Sequence, residues 1–223
     1  MEKKEFKRHA VSHFQQPGQA YFITWSLQGA VSPEALADYT KQLSMSHSKI
    51  VYASCNRLAD SVIRDFKMQY DQVQTKYTKA YDDLLHMQSK PVVNLANEAN
   101  RAILFDTLSF WEGKKLKNYA FCIMSNHVHW VFRLLDKDGL GNTINLQDIL
   151  PSVMRFSATA INRVTGFKGS LWGNESLDTT IRDDEHLYNA IKYTLNNPVG
   201  AGLVRDWSDW DGTRLFDELE DIY

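Results

Sequence analysis

Residues 121–132 read Phe-Cys-Ile-Met-Ser-Asn-His-Val-His-Trp-Val-Phe, and the placing of the two histidines in that run decides how the rest of the chain is read. In an extended strand, successive side chains point to opposite faces. With residues 119–134 as one strand, Cys122, Met124, Val128, Trp130, Phe132 and Leu134 form an almost continuous apolar face. Ser125, His127, His129, Val131 and Arg133 take the other. The two imidazoles then project side by side, with Cβ atoms about 6.5–7 Å apart. Neutral imidazoles at that spacing can share one divalent ion. A His-x-His pair alone is a weak motif, because chance pairs on half-exposed strands are common. A third ligand has to come from elsewhere in the chain.

The last helix offers one. It is expected to start at Asp183 or Asp184 and to stop at Pro198. At about 100° per residue, Ile191, Leu195 and Tyr188 share one side, expected to be buried. Tyr193 lies opposite, with His186, Asn189, Asn196 and Asn197. Asn197 follows Tyr193 by one turn, so it points the same way and brings a carbonyl oxygen to any ion near the phenol. It also precedes Pro198, a position biased away from helical geometry. A phenol is a poor nucleophile at neutral pH because its pKa is about 10. A nearby dication lowers the cost of developing phenolate and polarises a phosphoryl oxygen. Attack on a phosphodiester leaves a phosphotyrosine and a free hydroxyl, retaining the bond energy for a later joining step. On helix geometry alone, a Tyr193 that merely hydrogen-bonds Asn189 or a nearby loop is the simpler reading.

Around these two segments the chain alternates strands and helices. Residues 21–27, YFITWSL, are aromatic and β-branched and end at Gly29. Ser32-Pro33-Glu34 then reads as a helix start for a short helix over 33–45. Residues 48–88 hold no Gly or Pro. Within them Ile63, Phe66, Tyr70, Val73, Tyr77, Ala80, Leu84 and Met87 alternate spacings of three and four, an apolar seam that predicts a long helix in need of a partner. A helical hairpin packed on the domain satisfies it, and so does a second protomer; Pro91 ends the segment. A helix is expected over 95–111, with Ala99, Ile103, Leu104 and Leu108 on one face, and a turn at 138–142. The next helix starts near 146 or 151 and runs to 164, burying Val153, Phe156, Ala160, Ile161 and Val164. Residues 177–181 are extended. This alternation suggests an α+β layer, one sheet with helices on one face.

The 223 residues suit one domain, or a domain with one sizeable insertion. With 43% hydrophobic and 23% charged residues the chain can build a core. Its longest uninterrupted apolar run, residues 119–124, is far short of a membrane span, so no membrane partner is expected. No apolar segment follows the charged N-terminus, and Cys55 and Cys122 are too few for a disulfide framework. A reducing, cytoplasmic setting is the expectation. The net charge of −2 argues against nucleic acid at first sight, but seven acidic residues lie from 205 onward. Residues 1–204 carry +3, with basic clusters at Lys3, Lys4, Lys7, Arg8 and at Lys114, Lys115, Lys117. Such clusters can neutralise a few phosphates, although most short lysine runs are solvated surface.

Four passages resemble the REP-associated tyrosine transposases of the HUH single-tyrosine superfamily: YFITW at 21–25, Met124-Ser-Asn-His-Val-His129, Gly169-Ser-Leu-Trp172, and residues 181–187 running into Tyr193-Thr-Leu-Asn-Asn-Pro-Val-Gly-Ala-Gly-Leu-Val204. The likeness covers most of 1–32 and 91–210. It implies a ferredoxin-like βαββαβ sandwich, an antiparallel sheet with helices on one face, carrying residues 33–90 as an inserted helical hairpin. A catalytic domain of 1–32 and 91–210 and an acidic tail of 211–223 complete the expected organisation. The resemblance also implies action on hairpin-containing single-stranded DNA, His127 and His129 as the metal-binding pair, Asn197 as third ligand and Tyr193 as nucleophile. The chain departs from the family at Ser125, where Pro is frequent, and at 173–176, where the family has an aromatic or basic stretch.

The resulting expectation is a Mg²⁺ or Mn²⁺ ion on His127, His129 and Asn197, with Tyr193 forming a 5′-phosphotyrosine link. Imidazole ligands favour Mn²⁺ on affinity. Arg155 and Lys192 are candidate phosphate contacts, and Trp172 a candidate base-stacking surface, though solvation suits the first two equally and core packing the third. A homodimer through the helix of 48–88 is conceivable. A non-cutting single-stranded nucleic-acid binding module, a hydrolase using metal-activated water and a domesticated endonuclease of repeat hairpins are the alternatives.

Overall fold

The structure, a computed structural model, describes residues 4–8, 11–15, 18–87 and 91–216. Lys4–Arg8 (β1) and Val11–Gln15 (β2) form a separate antiparallel pair. The main sheet holds Ala20–Leu27 (β3), Leu116–Ile123 (β4), His127–Leu134 (β5), Trp172–Thr180 (β6) and Thr213–Leu215 (β7), in the order β6-β3-β5-β4-β7 with every pairing antiparallel. Among the described residues, five α-helices accompany it: Ala37–Cys55 (α1), Asp60–Met87 (α2), Glu98–Ser109 (α3), Leu146–Thr165 (α4) and Asp184–Gly200 (α5). With α1 and α2 set aside, the chain runs β3-α3-β4-β5-α4-β6. Its strands lie fourth, first, third, second across the sheet, the ferredoxin-like βαββαβ arrangement expected.

Strand alternation sorts the two faces. Tyr21, Ile23 and Trp25 of β3 join Val128, Trp130 and Phe132 of β5 in the main core. Leu104 and Leu108 of α3 and Ile149, Val153 and Ile161 of α4 cover them, so both βαββαβ helices share one face. Burying each such side chain contributes about 1.5–3 kcal/mol. α5 lies on the opposite face, where Ala190, Ile191 and Leu195 pack on Ala120 and Val131. The helix ends follow local chemistry. Asn97 accepts from the Ala99 amide, Asn145 and Asp148 form a capping box, Gly166 closes α4 at φ 70°, and Asp183 accepts from the His186 amide at 2.8 Å.

Several expectations need correction. The strand of 119–134 is a hairpin, β4 and β5, that turns at 124–126. The turn resets the parity, so Cys122 pairs with His129 and faces the histidine side, away from the Trp130 face. The helix of 48–88 is broken at 56–59, where Arg57 takes φ 51°, and the helix of 33–45 extends to Cys55. α1 and α2 pack on each other as the hairpin, with Tyr77, Tyr81 and Leu85 in the core and Tyr70, Val73, Ala80 and Leu84 against it. On α4, Val153 and Ile161 are buried as expected, but Phe156 and Val164 are exposed, and Leu146, Ile149 and Leu150 extend the buried stripe instead.

Thr213–Leu215, inside the stretch expected as an acidic tail, form β7, which pairs with β4. The acidic residues Asp217, Glu218, Glu220 and Asp221, and Lys3 of the N-terminal cluster, lie outside the described residues. β7 is held close at Gly212. A Cβ there would run into the Ile123 carbonyl oxygen and stand 2.6 Å from Trp210 Nε1, which itself donates to that oxygen at 3.0 Å. Gly212→Ala is therefore expected to cost about 1–3 kcal/mol by forcing the strand off the sheet. Urea unfolding measures it, and an unchanged midpoint would refute this account of the edge. Among the described residues, no helix is long and apolar enough to cross a membrane.

Candidate active site

Three elements converge on the α5 side of the sheet. β5 presents His127 and His129 there, both buried, with ring centroids 4.7 Å apart and planes at 82°. β3 lies beside it in register, Thr24 opposite His129 and Ser26 opposite His127. α5 crosses above them with Asn197 and Tyr193. The last turns of α2 close the edge.

The hydrogen bonds assign the proton on His127. Asn126 Nδ2 donates to the Leu85 carbonyl at 2.8 Å, which turns Asn126 Oδ1 towards His127 Nδ1 at 2.7 Å. An amide oxygen only accepts, so Nδ1 carries the hydrogen. Burial pushes the His127 pKa down to about 3, His86 nearby pushes the same way, and the contact with Asn197 opposes both. The ring is therefore neutral and its Nε2 is a bare electron pair. That atom faces Asn197 Oδ1 at 3.3 Å. His129 is held well below its ordinary pKa by burial and by His127 and His86. Its Nδ1 lies 2.7 Å from Thr24 Oγ1, and its buried Nε2 has no hydrogen-bond partner among the described residues.

These donors fit a divalent cation. A nitrogen pair and an amide oxygen pair aimed at each other repel unless a positive charge lies between them. At ligand distances of about 2.1 Å, a 3.3 Å edge subtends about 100°, between octahedral and tetrahedral values. With its hydrogen on Nδ1, donated to the Thr24 hydroxyl oxygen, the orphaned His129 Nε2 offers a further electron pair from the same face. Among the described residues, no group of three or more His, Cys, Asp or Glu side chains is placed to hold an ion. The Asn197 oxygen is what takes the donor count to three.

Tyr193 sits beside this set. Its ring meets His129 edge-on at 5.5 Å and 87°, and meets Phe22 at 5.7 Å and 68°. Phe22 in turn lies 5.8 Å from the His129 ring. Tyr193 is 39% exposed, so the phenol sits between a buried donor pair and solvent. The expected orientation of α5 is rotated: Tyr188 is 40% exposed, and the buried stripe is Ala190, Ile191, Thr194, Leu195, Asn197 and Pro198. Pro198 does not stop α5, which runs on to Gly200, so Asn197 keeps helical geometry.

The remaining expected contacts separate. Lys192 is exposed next to Tyr193, its Nζ 5.8 Å over the Tyr188 ring. Arg155 is exposed on α4, the helix of the other face, and does not approach the phenol's side. Trp172 is only 5% exposed, donates to the Met154 carbonyl at 3.0 Å and packs edge-on against Trp25. It is a core residue, and no face of it is free to stack on a base.

Sequence reasoning missed Thr24, Asn126 and His86. His86 Nε2 lies 3.3 Å from Asn197 Oδ1, and its ring centroid 5.9 Å from that of His127. Asn126 adjoins the His pair, which is a usable signal. Nothing in the periodicity of residues 63–87 marks His86.

One turn before His86, Asp82 is buried, and its Oδ1 has no hydrogen-bond partner among the described residues. Burial first and Asp83 second raise its pKa to about 7. A carboxyl raised in the folded state binds its proton more tightly there, so its contribution is full below the unfolded pKa and is lost as pH rises through 7. Stability is expected to fall on the order of 2–3 kcal/mol from pH 5 to pH 8 through this group. Asp82→Asn should flatten that slope in urea titrations; an unchanged slope would refute the assignment.

No family model and no curated protein matches the chain. Among solved structures, a REP-associated tyrosine transposase bound to a REP hairpin is similar, at 15% identity and a TM-score of 0.44, over 94% of this chain and 81% of that one.

Proposed function

We propose that the chain is a divalent-metal-dependent enzyme that nicks and rejoins single-stranded DNA through a covalent 5′-phosphotyrosine, a transposase-type strand transferase acting on hairpin-containing DNA. The observation that carries the reading is the half-exposed phenol of Tyr193 packed against His129, whose buried Nε2 lacks a partner. The choice of DNA rests on the four sequence passages that resemble the HUH tyrosine transposases.

His127 Nε2, His129 Nε2 and Asn197 Oδ1 would hold Mg²⁺ or Mn²⁺. When bound, the ion lowers the cost of phenolate and withdraws charge from the scissile phosphate. Phe22 and His129 confine the Tyr193 ring from two sides, which limits the entropy lost on reaching an in-line approach. The phenolic oxygen bonds to phosphorus as the bond to the 3′ oxygen breaks. The phenol gives up its proton and the departing 3′ oxygen takes one, so charge balances. The freed 3′-hydroxyl can attack the phosphotyrosine in reverse and release Tyr193. Lys192, exposed beside Tyr193, is placed for the DNA backbone.

The test uses single-stranded oligonucleotides with and without a hairpin, labelled at either end, in Mn²⁺. The expected product is a denaturant-resistant adduct with the 3′-labelled fragment and a released 5′-labelled fragment ending in 3′-hydroxyl. Cleavage without an adduct would make water the nucleophile. Binding without cleavage would make the chain a non-cutting module.

A further inference from the structure

We propose that His86, carried to the site by the inserted hairpin, is a positioning residue for Asn197, so that α2 forms the outer shell of the candidate metal centre. The proposal rests on the metal-site reading above and deepens it.

Three polar contacts tie the last two turns of α2 to the site. The Tyr81 hydroxyl lies 2.8 Å from Ser26 Oγ, on the strand position paired with His127. The Leu85 carbonyl accepts from Asn126 Nδ2 at 2.8 Å, the contact that sets the His127 tautomer. His86 Nε2 approaches Asn197 Oδ1 at 3.3 Å. All three come from the insertion and none from the βαββαβ core.

The third contact has a consequence for the ligand itself. An asparagine amide has two near-isosteric orientations that differ in whether oxygen or NH₂ faces a given neighbour. With oxygen towards His127 Nε2 it offers an electron pair to a cation; with nitrogen there it offers hydrogens and repels one. Where His86 carries its hydrogen on Nε2, that N–H can only donate, and the oxygen is the only acceptor the amide has. That contact selects the ligating orientation, occupies one electron pair of the oxygen and leaves the other for an ion. Asn126 acts on His127 in the same sense, so each of two candidate ligands is oriented through α2. Removing outer-shell partners of this kind typically weakens metal affinity 10–100-fold.

The measurement is Mn²⁺ affinity, read from the free-ion electron paramagnetic resonance signal on the full chain without DNA. The expected result is a loss of about 10-fold or more in His86→Ala and in His86→Phe, the latter keeping ring volume without an N–H. His86→Gln, which restores a donor, should recover part of the loss. In an Asn197→Ala background, His86→Ala should cause no further change. Unchanged affinity in both single variants, with Tyr193-dependent DNA adducts intact in the parent, would overturn the positioning role alone. An equal additional loss in the Asn197→Ala background would also overturn it, because His86 would then act independently of the amide. Asn197→Ala binding Mn²⁺ as tightly as the parent would overturn both this proposal and the ligand set beneath it.

Discussion

Tyr193→Phe is expected to abolish the covalent protein–DNA adduct and to lower strand cleavage at least about 10³-fold, while fold and Mn²⁺ binding stay as they are. The substitution removes one oxygen and keeps the ring, so the edge contacts with His129 and Phe22 persist. The position is 39% exposed, and stability should move by no more than about 0.5 kcal/mol. A 10³-fold loss corresponds to about 4 kcal/mol of barrier, far more than packing at a half-exposed ring can supply. Only a group whose oxygen forms a bond in the reaction accounts for so large an effect with so small a structural change. Cleavage that survives in the variant would assign the attack to water and reduce Tyr193 to a wall of the site.

What could be read without coordinates was local. Within β5 the alternation of Val128, Trp130 and Phe132 against His127, His129 and Val131 needs only the strand's own pleat, and it holds. Across the turn at 124–126 the same rule fails for Cys122, because a hairpin restarts the count. On α5, hydrophobicity places Tyr188 inside and Asn197 outside. The fold does the reverse at both positions, since the Asn197 amide has to be buried to meet the buried His127. For Trp172 the sequence offers only residue type, and for Arg155 residue type and a polar helix stripe. Neither type separates core from surface or one face of a sheet from the other, and both fall on the α4 side. His86 depends on where an inserted hairpin ends relative to α5, a tertiary fact that no periodicity within residues 63–87 encodes.

The largest remaining effect is expected at His129, where activity and stability should part. A structural core histidine would have both ring nitrogens satisfied; here Nδ1 meets Thr24 and the buried Nε2 has no hydrogen-bond partner among the described residues. Leaving such an atom unpaired costs about 1–3 kcal/mol. His129→Leu removes that cost and strands the Thr24 hydroxyl in exchange, so metal-free stability should stay within about 1 kcal/mol of the parent. Binding behaves differently. At 100 times its dissociation constant Mn²⁺ is expected to stabilise the parent by about 2.7 kcal/mol, a rise of roughly 5–10 °C in Tm for a chain of this size. The variant should show no rise, and cleavage should fall at least about 100-fold. Burial keeps both imidazoles deprotonated well below their ordinary range, so protons do not compete for the electron pairs and the parent's rise should persist from pH 8 down to pH 6. An exposed pair would lose much of it near a pKa of about 6.5. A Mn²⁺ shift retained in His129→Leu would remove His129 from the ligand set. A metal-free loss of several kcal/mol would make the residue a structural one, and the buried electron pair would need another explanation.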